Sequence, residues 1–317
     1  MHIVLSSTPV LDYDGSDLAP VGYDATRECP PCGVYLLASL LRNCGYEVSI
    51  IDFIAEGGIN GKYWNNRLAD CDLLGISATS LSWPTAKEFA SNVKQKKSDL
   101  SIVLGGVHGS LFPEYILSTS DVDFVICGEA EYSFPALCKA LIQSSDLHKI
   151  PGLVWRDAAG IIHSGPLNVR LSSAQLTSGS IPDYEDLPKG VYKGLSIESS
   201  RGCPFNCSFC SATYRSCWVP YQPVRFVDNV EQMLPFLRRT KLGFFYIIDD
   251  EFTNDPQRCI AIANELRKRN ISAKFTFDAR ANDLLYEPLI DNLQAHTKQI
   301  LVGAECGYNK GLQRIGK

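Results

Sequence analysis

The 317-residue chain is 45% hydrophobic, enough to bury ordinary cores and, by length, to form about two domains. A formal net charge of −5 leaves no basic footprint, which argues against a nucleic-acid partner and favours a small molecule or a peptide. No stretch approaches the roughly 20 apolar residues that span a bilayer, and the opening Met-His-Ile-Val-Leu-Ser-Ser lacks a basic or long apolar leader, so no membrane and a cytoplasmic address are expected.

Residues 1–145 alternate short apolar strands with helical stretches, the rhythm of a parallel sheet covered by helices on both faces. Strands are predicted at His2–Leu5, Glu47–Ile51, Leu73–Ser77, Ile102–Leu104 and Phe124–Ile126. Helices are predicted at Val34–Cys44, Pro84–Lys96, Glu114–Ser118 and Ser133–Ile142, where apolar residues recur at spacings of three and four. Five strands in this order predict a flavodoxin-like open sheet, in which ligands bind at the carboxyl ends of the strands. The segments there are Ser6-Ser7-Thr8, Ser77-Ala78-Thr79-Ser80, Gly105-Gly106-Val107-His108-Gly109 and Gly128-Glu129-Ala130-Glu131. They are small or hydroxylated, which lets a backbone come close to a ligand.

Residues 146–193 read as a hairpin, Gly152–Arg156 with Gly160–Ser164, followed by a Pro- and Gly-containing linker. A second domain, 194–317, has predicted strands at Leu195–Ser199, Phe244–Ile248, Ala273–Phe277 and Gln299–Val302. Helices are placed near Asn229–Arg239, Pro256–Lys268 and Leu284–Ala295, giving the rhythm of a partial β/α barrel.

Twelve cysteines without a secretion signal point to thiols, metal ligands or catalytic groups rather than disulfides. In Arg201-Gly-Cys-Pro-Phe-Asn-Cys-Ser-Phe-Cys210, the thiols of Cys203, Cys207 and Cys210 are spaced three and then two residues apart. Three close thiolates with no fourth suit an iron–sulfur cluster that keeps one iron open to a substrate. Structural zinc with Cys217 as a fourth ligand, and plain core thiols, are the competing readings. Cys29 and Cys32 also have a two-residue spacing, and without a second pair they read as plain thiols in a proline-stiffened turn.

The three-two spacing with an aromatic before the third cysteine resembles the signature of radical S-adenosylmethionine enzymes. That resemblance implies a [4Fe-4S] cluster on Cys203, Cys207 and Cys210, with S-adenosylmethionine chelated at the open iron and cleaved by one-electron reduction. It places Phe209 against the adenine, Asp249 and Asp250 near the methionine ammonium, Arg280 near a carboxylate or ribose, and Glu305 near the cofactor, with Cys306 where serine is common. For the acidic pair a helix-capping loop, and for Arg280 a surface ion pair, are the plain alternatives.

With Cys29-Pro-Pro-Cys-Gly33, Gly105-Gly-Val-His108 and Gly128-Glu-Ala-Glu131 in the first half, the whole chain is similar to the cobalamin-dependent branch of that family. The resemblance makes Ser77, Thr79, Gly105, Gly106, His108, Gly128 and Glu129 candidate cobalamin contacts. The Asp-x-His-x-x-Gly motif of other cobalamin proteins is absent after the first strand, and Asp146-Leu-His148 lies in the wrong place, so His108 is expected beside the corrin or its tail rather than on cobalt.

The implied activity is methylation of an unactivated carbon of a small metabolite or peptide, through methylcobalamin and a 5′-deoxyadenosyl radical. The implied electron donor is a flavodoxin or ferredoxin. A cyclase or oxidase of the same architecture, and a non-catalytic cofactor-binding fragment, remain alternatives. The second is raised because the barrel stops after four strands, as though truncated at the C-terminus.

Overall fold

The computed structural model describes residues 1–8, 29–53, 64–168, 170–210, 212 and 214–317, divided between two compact units. The first comprises Met1–Arg27, Gly33–Arg170 and Ser180–Asp186; the second comprises Glu28–Cys32, Leu171–Gly179 and Leu187–Lys317.

The first unit is built on strands β1 (His2–Ser7), β2 (Glu47–Asp52), β3 (Leu73–Ser77), β4 (Ser101–Gly105) and β5 (Phe124–Ile126), all parallel in the order β2-β1-β3-β4-β5. Strands β6 (Leu153–Arg156) and β7 (Ile162–Ser164) extend the sheet antiparallel beyond β5. The hairpin therefore belongs to the first sheet, and the first unit runs past the predicted boundary at 145 to Arg170. Its pairing to β5 explains why: Val154 and Trp155 are buried and find cover only on that sheet. Strand order reverses between β1 and β3, whose ends lie in register with β4 through Ser7–Ser77 and Ser77–Gly105. Helices Cys32–Asn43, Trp83–Lys96 and Ser133–Gln143 lie within two residues of prediction at each end. The helix Gly106–Leu111, which two glycines disguise as a loop, opens directly from the end of β4.

The second unit has four parallel strands in the order β13 (Thr297–Val302), β12 (Phe275–Ala279), β11 (Phe245–Ile247), β8 (Leu195–Ile197). Strand β9 (Ser200–Arg201) pairs antiparallel with β10 (Val219–Pro220), closing the segment between them into a loop. The predicted helix 229–239 instead starts at Pro223, in the first turn where proline's missing N–H is tolerated, and runs to Met233. Pro235 then forces a tighter 3₁₀ turn over Leu234–Arg239. Alternation along β11 and β12 buries Phe245, Ile247, Phe275 and Phe277 on one face.

Beside that core His296 is 6% exposed, with Nδ1 against the Ala273 carbonyl at 3.2 Å. Burial, with Arg267 and Lys274 nearby, pushes its pKa below the ordinary value, although the Ala273 carbonyl opposes this. A folded-state pKa below the unfolded one means that His296 contributes stability above about pH 6.5, and that this is lost as pH falls through its folded value. Melting of the protein is therefore expected to drop between pH 7 and pH 5, by about 2–4 °C for each kcal/mol lost. His296→Asn, which keeps a donor for Ala273 but cannot charge, should flatten that dependence. An equally steep slope in the variant would assign it elsewhere.

Candidate functional site

At the carboxyl edge of the first sheet, Gly106 has φ +85°, and a Cβ there would meet the Ala78 carbonyl at 2.7 Å. Only glycine lets the β4 exit lie this close to the β3 exit, where His108 N–H donates to Ala78 O and Ala78 N–H to Gly105 O. Ser82 Oγ accepts from Thr79 N–H at 3.0 Å and fixes the β3 loop. His108 is 6% exposed, stacked on Trp83 at 4.9 Å, with Nδ1 3.1 Å from Ser80 Oγ. Its Nε2 is buried without a hydrogen-bond partner, and burial lowers its pKa, which favours the neutral ring. Exposed Leu81, Val107, Leu111, Phe112 and Tyr115 follow the same two strand ends.

Gly128, at φ +82°, donates its N–H to Ser110 Oγ at 2.9 Å. Glu129 differs from the other predicted contacts, because its buried carboxylate lies 3.9 Å from Arg170. A glycine cradle, an orphaned buried imidazole nitrogen and an exposed apolar rim fit a large ring with polar edges such as a corrin. Asp146, by contrast, caps the turn at His148 through its own side chain.

In the second unit the cysteine loop leaves β9 through Gly202, at φ +77°, where a Cβ would fall 2.2 Å from the Cys217 carbonyl. Three main-chain bonds close it: Cys203 N–H to Tyr214 O, Ser216 N–H to Phe205 O, and Cys217 N–H to Cys203 O. Cys203, Cys207 and Cys210 are all half-buried on this one loop, whereas Cys217 is exposed. Burial pushes the Cys203 thiol up; the Phe205 amide, donating to the sulfur, lowers it, and Asp250, Glu251 and Cys210 lie near enough to raise it further. Among the described residues no three His, Cys, Asp or Glu side chains converge as one metal ion would require. Three cysteine thiols on one closed loop are a donor set that fits three irons of a cubane.

The strand exits around this loop sort the remaining predicted residues. Asp249 is 3% exposed, and its carboxylate accepts from Ser199 N–H, Ser199 Oγ and Ser200 Oγ, each at 2.6 Å. These three bonds tie its carboxylate to the end of β8. Asp250 is exposed on the opposite side of the chain. Glu251, outside the predicted contacts, is 5% exposed and accepts from Thr253 N–H and Thr253 Oγ1.

Arg280 is half-buried with its guanidinium 3.7 Å from the centre of the Phe205 ring, inside the cysteine loop. Phe209 is 52% exposed, leaving its face open. Glu305 sits at φ +48° and pairs with Lys317. Tyr246 donates to Asp278 Oδ2 at 2.7 Å across β11 and β12, a pair the sequence reading did not single out.

Cys29 is half-buried and Cys32 buried, and neither forms a disulfide. The Pro30 carbonyl accepts from buried Ser196 Oγ.

Residues 20–138 match the B12 binding domain family. An uncharacterised methyltransferase of Pyrococcus horikoshii is 27% identical over 303 residues, covering 91% of this chain and 63% of that protein. The anaerobic magnesium-protoporphyrin IX monomethyl ester cyclase of Rubrivivax gelatinosus is 25% identical over 317 residues, covering 93% of this chain and 55% of that one. The solved structure of the cobalamin-dependent S-adenosylmethionine radical enzyme OxsB, with aqua-cobalamin and S-adenosylmethionine bound, shares the fold with a TM-score of 0.75 at 21% identity, covering 99% of this chain and 45% of that one. The chain thus spans about half to two thirds of the length of the relatives it matches. Among the described residues no helix is long and apolar enough to cross a membrane.

Proposed function

We propose that this chain, related along its length to cobalamin-dependent radical S-adenosylmethionine enzymes and carrying a B12 binding domain, belongs to an enzyme that methylates an unactivated carbon of a small metabolite or peptide. The observation that carries the reading is the single closed loop presenting Cys203, Cys207 and Cys210 at the exit of the second sheet. These thiolates would hold three irons of a [4Fe-4S] cluster, and Ser77, Thr79, Gly105, Gly106, His108 and Gly128 would cradle the corrin. When bound, the cluster with S-adenosylmethionine supplies a radical that removes hydrogen from carbon, and cobalamin supplies the methyl group.

The chain's own share is binding and alignment. Phe209 offers an open ring face for adenine, while Asp250 and Arg280 present opposite charges at adjacent strand exits, matched to the ammonium and carboxylate of the methionine moiety. Asp249 acts one step back, holding the root of the cysteine loop. A reduced flavodoxin or ferredoxin is the proposed electron donor.

Anaerobic reconstitution with iron, sulfide and hydroxocobalamin tests the assignment. Four irons and one cobalt per chain, with both deoxyadenosine and S-adenosylhomocysteine as coproducts under reduction, are expected. Iron without cobalt would remove cobalamin, and zinc in place of iron would remove the radical chemistry. The cyclase among the relatives supports a second reading, ring formation, whose signature is deoxyadenosine without S-adenosylhomocysteine.

A further inference from the structure

The four-stranded sheet of the second unit has two unlike faces. One is the aromatic core of Phe245, Ile247, Phe275 and Phe277. The other, by the period of two along each strand, carries Ser196, Tyr246 and Thr276 side by side in register, with Ile248 and Asp278 one step further along. Arg280 follows on that face, and its guanidinium lies 3.7 Å from the centre of the Phe205 ring, so the polar face runs up to the cysteine loop. Two groups on it lack full partners. Thr276 is 6% exposed, and its Oγ1 is buried without a hydrogen bond. Asp278 is half-buried, and its carboxylate accepts from the Tyr246 hydroxyl at 2.7 Å with no cation paired to it among the described residues. Burial pushes its carboxyl up, and the tyrosine's bond offsets part of this. Glu198, two residues past Ser196 on the same face, is by contrast already neutralised: Arg201 donates to it from two nitrogens, at 2.7 and 3.1 Å. An ionised carboxylate can accept about four hydrogen bonds, and one that is shielded from water with a single donor and no counter-charge favours a cation.

We propose that Asp278, steadied by Tyr246, is a specificity-determining residue that anchors the substrate by a cationic nitrogen, an ammonium or guanidinium group. The inference rests on the radical-enzyme reading above, which makes the cysteine loop the reacting end of this face, and it narrows the small metabolite or peptide to one carrying such a group. The Thr276 hydroxyl, beside Tyr246 in register, supplies a further acceptor for an N–H. Asparagine in place of Asp278 keeps an acceptor for Tyr246, and so separates recognition of charge from a mere lock between β11 and β12.

The test is ligand-observed saturation-transfer NMR on the reconstituted protein with three probes of one length: butylammonium, butanol and butyrate. The wild-type protein should bind butylammonium and neither of the others. Asp278→Asn should weaken that binding at least about tenfold, the loss expected when one charge-assisted hydrogen bond goes. Ile248→Lys, which places a cation opposite Asp278 at a position already 39% exposed, should abolish it, while Ile248→Met, of similar length without the charge, should keep it. No butylammonium binding to the wild-type protein, equal binding of butanol or butyrate, or unchanged binding in Asp278→Asn overturns the proposal. If Asp278→Asn does not fold, the Ile248 pair decides: a loss confined to lysine supports the proposal, and equal behaviour of the two overturns it. Failure of the wild-type protein to take up iron would instead remove the radical-enzyme reading, so the two failures are distinct.

Discussion

Replacing Cys210 with alanine is expected to remove most of the iron from the reconstituted protein and to cut reductive cleavage of S-adenosylmethionine by more than about 100-fold, because two thiolates cannot hold the cube that three would hold. The loop should survive the change: its closing bonds run through the main chain of Cys203, Phe205, Ser216 and Cys217, and Cys210 contributes a turn bond from its own N–H to Cys207 O that alanine keeps. The matched control is Cys217→Ala. Cys217 is exposed, and its amide, not its thiol, pins the loop to Cys203 O. Iron content should be unchanged in that variant. Equal metal loss from Cys210→Ala and Cys217→Ala would mean a four-thiolate site, the arrangement of structural zinc, and would end the cluster reading.

Much of this was readable from periodicity. Continuous apolar runs such as Leu73–Ser77 mark strands covered on both faces, and β3 occupies those same residues. Their exits bring Ser77, Gly105 and Gly106 to one edge because parallel strands in register must end together. The hairpin was harder. Two short strands say nothing of which sheet they join, and only the burial of Val154 and Trp155 against β5 settles it.

The site residues show a sharper limit. Asp249, Asp250 and Glu251 look alike as a string of acids, yet strand alternation sorts the first two. Asp249 continues the face of buried Phe245 and Ile247, while Asp250 continues that of Tyr246 and Ile248. Extended two residues past β11, the period of two would have placed Asp249 inside. The same count puts Arg280 with Thr276 and Asp278 on the face away from Phe275 and Phe277. No pattern foretells that Arg280 meets Phe205, since their encounter depends on how a loop about 75 residues earlier folds back.

Asp249→Ala should be the most damaging single change to folding in the second unit, destabilising the protein by about 3–5 kcal/mol, because three buried donors lose the one carboxylate that accepts from them. Burial pushes the Asp249 carboxyl up, while Arg258, Ser199 and Ser200 pull it back toward the charged form. Arg258 is 6% exposed, with its guanidinium on the carbonyls of Ser199 and Tyr221. Without Asp249 two serine hydroxyls and an amide lose their acceptor, and one of them, Ser199, also carries the carbonyl on which the Arg258 guanidinium rests. Asp249→Asn keeps the shape but offers one oxygen where two accepted three donors, so its loss should be smaller, about 1–3 kcal/mol. Urea midpoints at constant slope give both values, and a wild-type midpoint in Asp249→Ala would refute the structural role. Asp250→Asn supplies the contrast: an exposed carboxylate should leave the midpoint within about 0.5 kcal/mol of wild type. On the proposed contact, the same change should weaken binding of S-adenosylmethionine to the reconstituted cluster. Adjacent acids with opposite phenotypes, one in stability and one in ligand affinity, would separate the residue that builds the loop's root from the residue that faces the ligand.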